Sequence, residues 1–244
     1  MNIDLNADVG EGFDDGPLYD LVSSVNIACG AHAGDDESMA HAIELALEHH
    51  VAIGAHPGYT DREHMGRRPL DMQPVQLRAS IRDQIQRLKH IALRSATAVS
   101  HVKPHGALYN QAAVDPWLAA SVAEAVRAAQ PRLRLVGLAG SWLTAAGRSA
   151  KLKVTEEGFA DRRYQRDGTL ASRERSDALI SDPSVAAVQA LAIARGTPVE
   201  SVDGYPVTIH ASTICLHSDT PGALENARAV RSALERAGFT ISPL

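Results

Sequence analysis

Apolar and polar residues alternate from Ile3 to Val9, the period-two signature of a strand with one buried face. Asp4, Asn6 and Asp8 share the other face, and Gly10 and Gly12 break the pattern. Short apolar runs recur at Val25–Ala28, Val51–Ala55, Ala98-Val99 leading into His101-Val102, Leu133–Leu138, Leu152–Val154 and Val207–Leu216. Between them the apolar spacing becomes helical. Met39, Ile43, Leu45 and Leu47 mark one helix, and Val75, Ile81, Ile85, Leu88 and Ile91 mark a second from about Pro74 to Leu93. Further helices are expected from Pro116 to Ala129, around Trp142 to Ala146, from Pro183 to Ala194, and after Thr220-Pro221-Gly222, with Leu224, Ala227, Val230 and Leu234 inward. A short strand at Phe239 to Ile241 closes the chain.

About seven strand-then-helix units follow one another without a linker, which predicts a parallel sheet. An open sheet gathers its chemistry at one switch point, whereas a closed barrel gathers it around the whole C-terminal rim. Six of the seven strand ends carry chemically useful side chains. The expected fold is therefore α/β: a single-domain (β/α) barrel over residues 1–244.

Composition sharpens this picture. Of 244 residues 45% are apolar but only 4% aromatic, so the core must be built from Ala, Val, Leu and Ile. Lys plus Arg number 24 against 29 Asp plus Glu, a formal charge of -5, which offers nothing to nucleic acid or an anionic membrane. Two cysteines, Cys29 and Cys215, do not make a disulfide framework and read as small buried side chains. With no signal-peptide pattern and no long apolar run, a soluble cytoplasmic protein is expected. The absence of GxGxxG and GxxxxGK[ST] removes the usual signals of a dinucleotide site or a P-loop.

His32, His56, His105 and His217 each sit just past a different strand and are expected around one pocket; His49, His50, His64 and His90 are expected at the surface. Asp8, Glu11, Asp35, Glu157 and Asp161 place carboxylates at the same rim, although Asp35 or Asp36 also suits the N-cap of the helix that follows. Mixed imidazole and carboxylate suits a divalent metal, and equally a metal-free acid/base site. No HExxH or HxH pair decides between them, so a tightly bound metal stays open. Lys103, at the end of the fourth strand, suits an anion or oxyanion site, a base of lowered pKa, or an ion pair with a rim acid. Arg162 and Arg163 suit carboxylate or phosphate, one of them facing solvent. His101, two residues before Lys103, belongs one layer deeper in a structural role. The charged segment from Gln165 to Ser181 fits a lid or a partner-binding arm.

Several of these stretches resemble the LamB/YcsF family. They are Asp4-Leu5-Asn6-Ala7-Asp8-Val9-Gly10-Glu11, Asn26-Ile27-Ala28-Cys29-Gly30-Ala31-His32-Ala33-Gly34-Asp35, Ile53-Gly54-Ala55-His56-Pro57-Gly58-Tyr59, Val102-Lys103-Pro104-His105-Gly106-Ala107-Leu108-Tyr109-Asn110, Phe159-Ala160-Asp161-Arg162 and Ile214-Cys215-Leu216-His217-Ser218-Asp219. Ala7 stands where that family often has Cys, and Ser218 where it commonly has Gly. The resemblance implies a seven-stranded barrel of the glycoside hydrolase/deacetylase type. It also implies ATP-dependent opening of the 5-oxo-L-proline lactam to L-glutamate, with ADP and phosphate released, as the A subunit of a 5-oxoprolinase working with subunits B and C. Mg²⁺ would accompany the nucleotide, and a homo-oligomer is compatible with it.

On that basis Asp8, Glu11, His32, His56, Lys103, His105 and Asp161 are the expected catalytic set. His56 and His105 would do acid/base work, Lys103 and Arg162 would meet anionic groups, and Asp8, Glu11 and Asp161 would orient the imidazoles or hold Mg²⁺. Asn6, Asn26, Tyr59, Tyr109, Glu157, Arg162 and His217 are the expected substrate contacts. Two alternatives remain open: a metal-dependent amidohydrolase or carbohydrate deacetylase acting alone, and a non-catalytic substrate-binding subunit.

Overall fold

The first strand, β1 (Asn2–Val9), is paired on both sides and buried along nearly its whole length. In the computed structural model, which describes residues 1–219 and 222–243, it pairs in parallel with β2 (Ser24–Ala28). The order continues through β3 (Ala52–His56), β4 (His101–Val102), β5 (Arg134–Leu138), β6 (Lys153–Phe159) and β7 (Thr213–His217). Strand β7 then pairs back onto β1, with Asp4 beside Thr213 and Asp8 beside His217, so the seven-stranded parallel sheet is closed. Strand β4 is short, but the Lys103 amide donates to the Ala55 carbonyl and carries the pairing one residue further.

Helices α1 (Asp36–Glu48), α2 (Pro74–Arg94), α3 (Gly106–Val114), α4 (Pro116–Ala129), α5 (Trp142–Ser149), α6 (Pro183–Arg195) and α7 (Ala223–Arg236) surround the barrel among the described residues. Their starts are readable locally: Asp115, Ser141 and Asp182 each cap a helix through a side-chain oxygen. The core lies between strands and helices, where Leu5, Val9, Ile27 and Val102 meet Met39, Ile43, Ile81, Ile85 and Leu88 in one cluster.

The lumen is different. Its strands turn Asp4, Asn6, Asn26, His101, Lys103, Glu157 and Thr213 inward, all buried and joined by hydrogen bonds. Aliphatic layers fill many barrels of this class; here polar side chains replace them. Gly54 belongs to this arrangement, because a Cβ there would lie 2.1 Å from His101 Nε2.

Some expectations need correction. The strand expected from Val207 begins at Thr213; Pro206–Val207 instead pairs antiparallel with Val199–Glu200 in a small hairpin. Val75 and Leu47 point outward, at 69% and 41% exposure, because each helix needs only one apolar stripe. Thr240–Ile241 forms a short strand that pairs with the start of β1, close to where the last one was expected. The Thr220-Pro221 step ahead of α7 lies outside the described residues. No helix among the described residues is long and apolar enough to cross a membrane.

His101 is held between Asn26 and Ser100 and cannot move aside. Gly54→Ala should therefore cost about 1–3 kcal/mol of stability through overpacking. Urea denaturation measures this, and a loss under about 0.5 kcal/mol would show that the lumen has slack.

Candidate active site

Lys103 is 2% exposed and surrounded by acceptors. Its Nζ lies 2.9 Å from Asp8 Oδ1, 3.0 Å from Glu157 Oε1 and 3.0 Å from Cys215 Sγ. Burial alone would push its pKa down, but Asp8, Cys215 and Glu157 outweigh burial and hold it well above the ordinary lysine value. Of the three roles open to Lys103, the geometry supplies the ion pair and removes the base. Glu157 is fully buried and also accepts from Asn6 Nδ2 at 2.9 Å and Tyr109 OH at 2.6 Å. Asn26 donates to Asn6 Oδ1 and Asp8 Oδ1. Asn6, Asn26 and Glu157 thus form a layer beneath the cavity, away from its lining.

Above this layer the three rim histidines of β2, β3 and β4 converge on Glu11. His32 Nε2 is 3.1 Å and His105 Nδ1 3.0 Å from Glu11 Oε1, and His56 Nε2 is 3.3 Å from Asp8 Oδ2. The His32 and His105 rings stack at 3.8 Å, with 1° between their planes. Glycines make this possible: a Cβ at Gly58 would lie 2.7 Å from His32 Nδ1, and one at Gly66 2.8 Å from His32 Cβ. Met65, in the left-handed region at φ 51, turns its carbonyl onto His105 Nε2 at 2.8 Å.

Burial pushes His32 down to about 4, so it is a neutral imidazole at neutral pH. Burial also opposes the charged forms of Asp8 and Glu11, but the histidines, with Lys103 for Asp8, outweigh it and keep both carboxylates well below their usual range.

The opposite side of the cavity is cationic. His217 Nδ1 is 2.9 Å from Asp161 Oδ1, and the His217 amide donates to Asp161 Oδ2. Arg162 is buried and donates to the Ala171 carbonyl; burial, then Arg173, pushes its pKa down to about 10. Arg173 and Arg67 both bridge to Asp219. The space enclosed is about 550 Å³ and is lined by Asp8, Glu11, His56, Lys103, His105 and Tyr109 on one side and by Arg67, Arg162, Arg173 and His217 on the other.

Of the expected residues, the cavity gathers Asp8, Glu11, His56, Lys103, His105, Tyr109, Arg162 and His217. His32 and Asp161 stand directly behind it. Tyr59 does not reach it: its hydroxyl donates to Gln111, and it is absent from the lining. Asp35 is not a rim carboxylate. Its side chain accepts from the Ser38 amide in a capping box, a local bond that claims the carboxylate at the helix start. The segment from Gln165 to Ser181 forms cavity wall through Gln165, Leu170, Ala171, Ser172, Arg173 and Glu174. The residue pattern did not single out Arg67, Arg173, Asp219 or the Met65 carbonyl. The Gly66-Arg67 turn was the only local hint.

A closed parallel barrel whose strand ends bring imidazoles and carboxylates to one rim defines a class of small-molecule site. The chain belongs to the LamB/YcsF family, whose sequence profile matches residues 3–244. It is 48% identical over 247 residues to the A subunit of 5-oxoprolinase from Chloroflexus aggregans, covering 99% of this chain and 98% of that one. It is 46% identical to the A subunit of 5-oxoprolinase from Heliobacterium modesticaldum, covering 99% and 97%. The structure of a lactam utilization protein from Thermus thermophilus superposes with a TM-score of 0.93 at 41% identity, over 100% of both chains.

Two outcomes follow from the buried groups. Lys103→Met leaves Asp8 and Glu157 without their ammonium and should destabilise the fold by about 3–5 kcal/mol. Adding Glu157→Gln should recover part of that loss in denaturant titrations; no recovery would mean the pair is not coupled.

Burial pushes His101 down to about 3. An unfolded histidine titrates near its ordinary value of about 6.5, so below it the unfolded chain binds protons that the folded chain refuses. Stability from His101 and His32 is therefore complete above about 6.5 and lost as pH falls toward the folded values, by up to about 1.4 kcal/mol per pH unit for each group. Unfolding free energies measured from neutral to acidic pH check this, and His101→Gln should flatten the profile.

Proposed function

We propose that this chain is the A subunit of an ATP-dependent 5-oxoprolinase and carries the site at which the 5-oxo-L-proline lactam is opened to L-glutamate. The observation that supports this most is the whole-length likeness to proteins named as the A subunit of 5-oxoprolinase. The cavity agrees with it. A lactam that carries one carboxylate needs an anion-binding wall and, across from it, groups that manage protons; Arg162 and Arg173 are suited to the first and His56 and His105 to the second.

An amide carbon is a poor electrophile. Transfer of the γ-phosphoryl group of ATP to the lactam oxygen releases ADP and activates that carbon. Water adds as a base takes its proton, and the C–N bond breaks as an acid protonates the ring nitrogen. A second water releases phosphate and leaves L-glutamate. In this reading His56 and His105 exchange the protons. Asp8 and Glu11 orient them, and Asp161 orients His217. Lys103 holds Asp8 in place, and Arg162 with Arg173 takes the substrate carboxylate or phosphate. ATP with its Mg²⁺ enters as co-substrate of the assembly that the chain forms with subunits B and C, which is assigned to the cytoplasm.

The test is glutamate formation from 5-oxoproline by the chain with subunits B and C, omitting each protein and ATP in turn. Turnover should require all of them. His105→Ala should lower kcat by about 10²-fold or more, and Arg173→Gln should act mainly by raising KM. Unchanged turnover in His105→Ala would sink the assignment of roles. ATP-independent turnover by the chain alone would favour a stand-alone amidohydrolase.

A further inference from the structure

Two hydrogen bonds fix the ring protons of the central histidines. His56 Nδ1 lies 2.7 Å from the Lys103 carbonyl, and His105 Nε2 lies 2.8 Å from the Met65 carbonyl. A carbonyl oxygen only accepts, so both of those nitrogens carry hydrogen. In a neutral imidazole the other nitrogen then presents a lone pair. His56 Nε2 and His105 Nδ1 are those nitrogens, and they face each other at 2.9 Å. Carboxylate oxygens close the group. Glu11 Oε1 is 3.0 Å from His105 Nδ1 and 3.7 Å from His56 Nε2, and Asp8 Oδ2 is 3.3 Å from His56 Nε2. Three electron-pair donors, from Glu11, His56 and His105, converge in a buried place, with Asp8 beside His56.

We infer that Glu11, His56 and His105 form a binding site for one divalent transition-metal ion of the Zn²⁺ type, with its fourth position facing the cavity. A tetrahedron with metal–ligand bonds of about 2.0–2.1 Å has edges of about 3.3–3.4 Å. The three separations among Glu11, His56 and His105, 2.9, 3.0 and 3.7 Å, fall around that length. Imidazole with carboxylate suits such ions. The carbonyls of Lys103 and Met65 supply the outer hydrogen bonds that metal-binding histidines almost always make. Lys103, which reaches both carboxylate oxygens, and Asn26 hold Asp8 beside His56. Glu11 is oriented from behind by His32. All three ligands line the cavity, so a ligand from the cavity can share the ion. A proton between the two rings would satisfy one pair of donors; a metal ion satisfies all three.

This concerns the site to which lactam opening is assigned; with the ion bound, both nitrogens of His56 and His105 are committed, so the proton exchange assigned to them belongs to the ion-free chain, and the inference is tested by metal binding alone. Untagged, chelator-treated protein is titrated with Zn²⁺ against a chromophoric competitor, and the Co²⁺ form is examined by visible absorption. One equivalent per chain is expected, with the intense d–d bands of a low-coordinate site. Glu11→Gln, His56→Ala and His105→Ala should each weaken binding by at least about 10-fold, while surface His64→Ala should leave it unchanged. Thermal melts show which variants fold, and Glu11→Gln, nearly isosteric, serves if the histidine variants do not. Failure to bind Zn²⁺ at micromolar concentration, or equal binding by wild type and Glu11→Gln, overturns the proposal. A protein that binds the ion as stated but opens no lactam with subunits B and C overturns the functional reading and leaves this one standing.

Discussion

A single ammonium group sits where the barrel would otherwise be filled with aliphatic side chains. Lys103 Nζ lies within 3.0 Å of both Asp8 and Glu157, the first at the floor of the cavity and the second fully buried. Burying such ions costs several kcal/mol each, and their attraction repays it only when the remaining donors and acceptors are met. Here Asn6, Asn26, Tyr109 and Thr213 meet them. The lumen is thus a network in which each strand needs a particular neighbour at a particular height. Apolar packing outside the sheet supplies the bulk of the stability, and the lumen supplies the register.

The same network prepares the site. Lys103 reaches both oxygens of Asp8; Oδ1 also accepts from Asn26, and Oδ2 also faces His56. Lys103 also offers its carbonyl to His56 Nδ1, so one residue positions both the acid and the imidazole. His56 leads to His105, His105 to Glu11, and Glu11 to His32, whose ring stacks back on His105. Side chains fixed in this way need little rearrangement when a ligand arrives, which is the condition for electrostatic stabilisation to be effective.

What the sequence made legible follows from periodicity. Strand β1 could be read because its alternation is strict, and strand ends could be read because Gly10, Gly30 and Gly58 interrupt apolar runs near the histidines. Element type and rim location need only local information. Partnerships do not reduce to it. Asp35 and Asp8 are both acids near the end of a strand, yet one caps a helix and the other meets Lys103 95 residues away. Asp219 gathers Arg67 and Arg173 from two distant loops, which no local pattern announces. The Met65 carbonyl is invisible for another reason: every residue has a carbonyl, and only the backbone turn at Met65-Gly66 aims this one.

The cavity is asymmetric, and that asymmetry constrains what it can hold. Asp8 and Glu11, kept ionised by their neighbours, repel an anion from the histidine side. Arg162, which donates one bond to the Ala171 carbonyl, and Arg173, half-buried beside it, attract an anion to the other. A small molecule with a carboxylate or phosphate at one end therefore lodges with that end on the arginine wall and its remaining polar group toward Asp8, Glu11, His56 and His105. Arg162 Nε has no hydrogen-bond partner among the described residues despite its burial, so an anion placed there would satisfy a donor that the protein leaves open. Orientation is thus set by charge before any contact with the reacting bond, and the imidazoles assigned to proton transfer lie at the end away from the arginines.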